Sequence, residues 1–132
     1  MSRFSIRRSS TISNTRIALY KLIIDSQCPI EEFERRILKE GTFEKDIGKI
    51  YSIINAACNL STLPKTLYRV LKLTNIPFRI YEAKSAGLRY YLIKIEKTGK
   101  VIILAGKKSN QKTDLKYLAR LAQEIHLYGF NQ

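Results

Sequence analysis

Lys84, Arg89, Lys107, Lys108 and Lys112 fall in a single stretch, residues 81–114, which reads YEAKSAGLRYYLIKIEKTGKVIILAGKKSNQKTD. Apolar runs alternate there with single cations. The stretch closes on the loop Gly106-Lys107-Lys108-Ser109-Asn110-Gln111-Lys112, which leads into a helical pattern. Ammonium and guanidinium groups held on a rigid frame bind phosphate oxygens, and they stabilise negative charge that builds up on phosphate during a reaction. The loop also delivers the chain to a helix N-terminus, where backbone N–H groups attract anions, although Asp114 already occupies the first turn. This is not a Walker loop, because the Gly-x-x-x-x-Gly spacing is absent.

Other side chains with chemical potential are sparse. His126 is the single imidazole, and a lone His in a last helical turn is first of all a helix-end residue. Cys28 and Cys58 lie far apart beside apolar residues and form no CxxC pair. Buried free thiols and a reducing compartment are expected. One His, two distant cysteines and no clustered carboxylates give a metal centre little to build on, so no metal and no cofactor are expected. The tyrosines Tyr90, Tyr91, Tyr117 and Tyr128 read as packing residues with a wet hydroxyl, any of which could also stack on a base.

The elements that must position these groups follow from periodicity. Ile17–Ile24 reads as a first strand, with a short helix as the alternative. Pro29 suits the first turn of a helix carrying Ile30, Phe33, Ile37 and Leu38 and ending at Gly41. Thr42 is placed to cap a second helix with the stripe Phe43, Ile47, Ile50, Ile54 and Ala57. The short link between them predicts an antiparallel helical hairpin. Leu67, Val70 and Leu71 after Pro64 suggest a short amphipathic turn or helix. Strands are then expected at Phe78–Lys84, Leu88–Glu96 and Lys100–Ala105. Lys97-Thr98-Gly99 makes the hairpin turn between the last two. Thr113 is placed to cap a final helix with Leu115, Leu118, Ala122 and Ile125 inward. The fold class is α+β: an N-terminal strand, a helical hairpin, an antiparallel β-meander and a C-terminal helix.

Alternation sorts the strand at Leu88–Glu96. Arg89, Tyr91, Ile93 and Ile95 share one face, and Leu88, Tyr90, Leu92 and Lys94 the other. Neither face is wholly polar, so both should be partly covered. Arg89 then either enters a cleft or snorkels from an edge strand; both readings stay open at this point.

With 132 residues, one domain is expected over residues 17–132, preceded by a basic, flexible arm at residues 1–16. The arm is rich in Ser, Thr and Arg. It lacks the apolar stretch of a secretory signal, and its composition resembles a mitochondrial presequence no more than any basic arm does. No apolar run approaches membrane-spanning length, and a cytoplasmic location without membrane partners is expected. The net charge is +13, and it is unevenly placed. Residues 61–132 hold fourteen Lys and Arg against four acids, whereas residues 23–60 hold five against seven. Such asymmetry indicates a polyanionic partner ahead of a merely solvated surface.

The stretches YEAK (Tyr81–Lys84), GLRYYL (Gly87–Leu92), TGKVIILAGKK (Thr98–Lys108) and NQKTD (Asn110–Asp114), with the helical region and the Leu63-Pro64 step ahead of them, give the chain from Ile17 to Tyr128 a recognisable pattern. It resembles the RelE/ParE superfamily of bacterial toxins, particularly the RelE- and HigB-like ribonucleases. That resemblance implies the toxin of a toxin–antitoxin system. Such a protein is a ribosome-dependent, metal-independent endoribonuclease, in which the 2′-OH of translated mRNA attacks the neighbouring phosphate to leave a cyclic phosphate and a free 5′-OH.

The resemblance implies that Lys84 transfers a proton or binds phosphate, that Arg89 steadies the scissile phosphate, and that Lys108 is the second basic residue of the Gly-basic-basic loop. Lys107, Lys112 and Tyr91 would bind RNA. Implied partners are mRNA on the ribosome, ribosomal RNA and a cognate antitoxin. The sequence departs from the pattern at Glu82, which stands where some members have a cation. His126 and Tyr128 are only candidates for the C-terminal residue some members use, and residues 1–16 have no counterpart. The alternatives are a ParE-like inhibitor of DNA gyrase and a basic nucleic-acid-binding protein without chemistry.

Overall fold

The computed structural model describes residues 2–95 and 99–131. The chain runs β1 (Phe4–Arg8), β2 (Ala18–Ile24), α1 (Pro29–Glu40), α2 (Glu44–Cys58), β3 (Tyr68–Leu71), β4 (Ile80–Lys84), β5 (Leu88–Ile95), β6 (Gly99–Lys107), a 3-10 turn (Lys108–Asn110) and α3 (Gln111–Tyr128). The strands form one mixed sheet in the order β1-β2-β6-β5-β4-β3. Neighbours are antiparallel except β2 and β6, which run parallel, Ala18 beside Gly99 and Lys21 beside Ile102.

The two sheet faces are both covered. Leu88, Tyr90 and Leu92 pack with Phe33, Ile37, Ile50 and Ile54 under α1 and α2. Tyr91 and Ile93 pack with Phe4, Leu118, Leu121, Ala122 and Ile125 under α3. The alternation read from the sequence of β5 therefore assigns each side chain to its face. Complete coverage of both faces explains why neither is polar.

The first helix begins and ends where local chemistry places it. Pro29 opens α1, Glu31 and Glu32 sit in its first turn, and Lys39 in its last, matching the helix dipole. Gly41, at φ +74°, ends it in the left-handed region, its N–H donating to Ile37 O and Leu38 O. Thr42 does not cap α2: Phe43 occupies that position, and the Thr42 hydroxyl donates back to Glu40 O at 3.5 Å. Thr113 likewise lies inside α3, which Asn110 precedes without a side-chain cap.

The α+β class holds, but the order of elements is longer than expected. Residues 4–8, expected to belong to a flexible arm, form the edge strand β1. Phe4 is fully buried there, and Arg3 O accepts from Asp25 N at 2.9 Å. The segment expected to form a turn or helix after Pro64 makes one turn, Leu67 N to Pro64 O, and then becomes β3. Most of the expected hairpin turn, Lys97 and Thr98, lies outside the described residues, as does Glu96.

Candidate functional site

Register brings the first two site residues together. Lys84 pairs with Arg89 across β4 and β5, and Arg89 pairs with Gly106 on β6. Direct cross-strand partners share a face, and the next row holds Glu82 and Tyr91. This is the face that α3 covers.

The turn from β4 to β5 is tightly built. Ser85 N donates to Leu88 O (3.1 Å) and Leu88 N to Ser85 Oγ (3.0 Å). Asp46, on α2, accepts from both Ser85 Oγ (2.6 Å) and Gly87 N (2.9 Å). Lys108 N donates to Gly87 O at 2.8 Å, which ties the loop after β6 to the same turn. Lys84, Arg89 and Lys108 thus meet at one end of the sheet. Asp46 was not legible as part of this site, because its partners lie about forty residues away and carry no local signal.

Arg89 is corrected by its surroundings. It is 9% exposed, and its Nη1 donates to Ser85 O (2.5 Å) and Leu88 O (2.8 Å). The guanidinium closes its own turn instead of facing an open phosphate site, and its buried Nε has no partner. Tyr91 is corrected too. It is 0% exposed beneath α3, so its ring offers no face for a base to stack on. Its hydroxyl is buried without a well-formed hydrogen bond. Burial pushes its pKa up to about 12, a shift that the Gln111 amide partly opposes and the nearby Glu82 and Asp114 carboxylates reinforce.

The departure at Glu82 has a structural role. This fully buried carboxylate accepts from Arg69 Nε on β3 (2.9 Å) and from Gln111 Nε2 on α3 (2.6 Å). A buried charge requires such partners, and here they fasten the edge strand to the start of α3. Asp114 completes that junction. Its carboxylate lies against the Cα of Gly106, where any Cβ would overlap Oδ2, and burial raises its pKa.

The remaining cations divide. Lys107 points to the opposite face, where its Nζ pairs with Glu40 Oε1 at 2.9 Å and sits 5.5 Å from the centre of the Phe43 ring. It is separated from Lys84 by the sheet and is already neutralised. Lys108 and Lys112 are exposed, Lys84 is half-buried, and among the described residues no carboxylate pairs with any of the three. His126 lies fifteen residues along α3 from Gln111, a rise of about 22 Å. It packs edge-on against Phe78. Neither it nor the exposed Tyr128 joins the cluster.

Two buried polar groups that sequence reasoning did not find belong to the core on the α1–α2 side. Glu34 Oε2 accepts from the hydroxyls of Tyr51 (2.6 Å) and Tyr90 (2.7 Å), while Lys21 Nζ lies 3.8 Å from Glu34 Oε1. Burial, then the Glu34 charge, drives both phenol pKa values far upward. Lys100 Nζ donates to Tyr68 Oη at 2.9 Å and stands 4.2 Å over the Tyr81 ring, and burial lowers its pKa. Both groups are internally satisfied and read as core chemistry. Among the described residues no group of three His, Cys, Asp or Glu side chains is placed to hold a metal ion, and no helix is long and apolar enough to cross a membrane.

Comparison with known proteins assigns no relationship. No family model, no curated protein and no solved structure matches the chain.

Proposed function

We propose that this chain is a metal-independent endoribonuclease of the RelE-like toxin kind, acting on translated mRNA. The observation that carries the reading is the meeting of Lys84, Arg89 and Lys108 at one end of the sheet, held by register and by the Lys108 N–Gly87 O bond. Support also comes from the coarser α+β architecture, a six-stranded mixed sheet with helices on both faces, in which β3 to β6 are successive antiparallel neighbours.

The chemistry asked of the protein is limited: hold the RNA so that the 2′-OH lies in line with the neighbouring phosphate, and neutralise the crowded phosphate as charge builds. Lys84 and Lys108 carry the available ammonium groups. Arg89 acts through them as a positioning residue, since its guanidinium fixes the turn on which Lys84 ends and to which Lys108 is tied. An antitoxin with an acidic segment suits the unpaired cations.

Incubating the purified chain with translating ribosomes and probing for 2′,3′-cyclic phosphate ends tests this. Cleavage that falls at least tenfold in Lys84→Ala and Lys108→Ala, with unchanged melting temperatures, agrees with the proposal. Cleavage untouched by either substitution removes those residues from the site.

A second reading, a nucleic-acid-binding protein without chemistry, is favoured by one observation: Arg89 and Tyr91 are both buried. Under that reading the same incubation yields no cyclic phosphate.

A further inference from the structure

The basic residues continue past the candidate site along the outer face of α3. Lys112, Lys116 and Arg120 recur every four residues and are all exposed, and Lys108 stands one step earlier in the 3-10 turn. Residues four apart lie on one helix face. At about 1.5 Å per residue they stand about 6 Å apart, a spacing on the scale of successive phosphates along one nucleic-acid strand.

Acids are sparse along this row. α3 carries two: Asp114 packs on Gly106, and Glu124, one four-residue step beyond Arg120, pairs with Arg3 Nη1 at 3.9 Å. Elsewhere several acids are matched to cations, Glu31 to Arg7, Glu34 to Lys21, Glu40 to Lys107 and Glu82 to Arg69. The Arg120 guanidinium rests 5.6 Å from the centre of the partly exposed Tyr117 ring, so a cation and an aromatic face the solvent together. A solvated helix face is ordinarily laced with both signs of charge, and this one carries cations at three successive steps before Glu124.

We infer that the outer face of α3 is a backbone-tracking surface for single-stranded RNA. Lys116 and Arg120 extend the surface about 12 Å beyond Lys112. This rests on the reading of RNA as substrate and goes beyond it, because Lys116 and Arg120 take no part in the proposed cleavage. Each cation that neutralises a phosphate releases counterions, and on a single strand the logarithmic salt slope becomes shallower by about 0.7 for each such cation removed.

The test measures binding of a fluorescently labelled single-stranded 2′-O-methyl RNA by anisotropy over a range of salt. That ligand has no free 2′-OH to attack phosphate, so binding is scored whether or not the chain cleaves RNA. The Lys116→Ala/Arg120→Ala variant is compared with the parent and with Lys45→Ala/Lys49→Ala. The latter removes equal charge from the exposed face of α2. Matching melting temperatures establish that all three are folded. The expected result is a slope shallower by about 1.4 in the α3 variant, with the α2 variant close to the parent. Equal losses in the two variants would reduce the effect to net charge, and no binding by the parent would remove the surface altogether; either result overturns the inference.

Discussion

Arg89 and Tyr91 share a strand face, and both carry a buried polar atom without a partner, yet they should respond to substitution in opposite ways. Tyr91 keeps a hydroxyl in a dry site at a desolvation cost. Tyr91→Phe is therefore expected to be neutral or to stabilise by about 1 kcal/mol in denaturant unfolding. Arg89 holds two carbonyls of its turn, so Arg89→Ala is expected to lower stability by about 1–3 kcal/mol in the same measurement. A cleavage defect in that variant must then be read beside its stability.

The phenols also set an alkaline limit. The folded value for Tyr91, about 12, lies above the ordinary tyrosine value of about 10. Its contribution is whole below pH about 10 and is lost as the pH climbs toward about 12. Tyr51, Tyr68 and Tyr90 are raised further, so the loss continues beyond that point. Melting temperatures measured from pH 9 upward should fall from pH about 10 onward. They should fall less steeply in Tyr91→Phe. A flat profile would mean that these phenols are not buried in the way described.

Among the elements, the β4–β5 turn depends on a side chain from another layer. Asp46→Ala removes the acceptor shared by Ser85 Oγ and Gly87 N. It is expected to cost about 1–3 kcal/mol and to speed hydrogen exchange at the Gly87 amide. Unchanged exchange there would mean that α2 does not brace the turn. What was legible in the sequence follows from the reach of each signal. The faces of β5 could be read because strand alternation is local and unbroken from Leu88 to Ile95. The stripe of α2 could be read for the same reason. β3 was hidden because it is a four-residue edge strand with Arg69 in it, and it is fastened by an ion pair to the buried Glu82 that no neighbouring residue announces. The burial of Tyr91 was hidden because alternation tells which residues share a face and not what covers it.

Across the whole molecule, a single sheet covered on both faces carries part of its excess positive charge at one end and along α3. The first residues belong to that body. Phe4 is fully buried against the α3 side of the sheet, and Asn131 N donates to Phe4 O at 2.8 Å, so the two ends of the described chain meet. Phe4→Ala is expected to cost about 3–5 kcal/mol in denaturant unfolding, whereas a loosely attached arm would tolerate it. The arm was misread because Phe4 and Ile6 are too few apolar positions among Arg and Ser to declare a strand, and because pairing with β2 is what buries them.

The central claim, cleavage of translated RNA by 2′-OH attack, is most directly tested by inducing the chain in bacteria under tight control and mapping RNA ends as growth responds. The expected result is growth arrest with new 5′-OH ends inside translated codons, both lost in Lys84→Ala and Lys108→Ala at equal protein levels. Arrest without new ends, or soluble protein with no arrest, would contradict it.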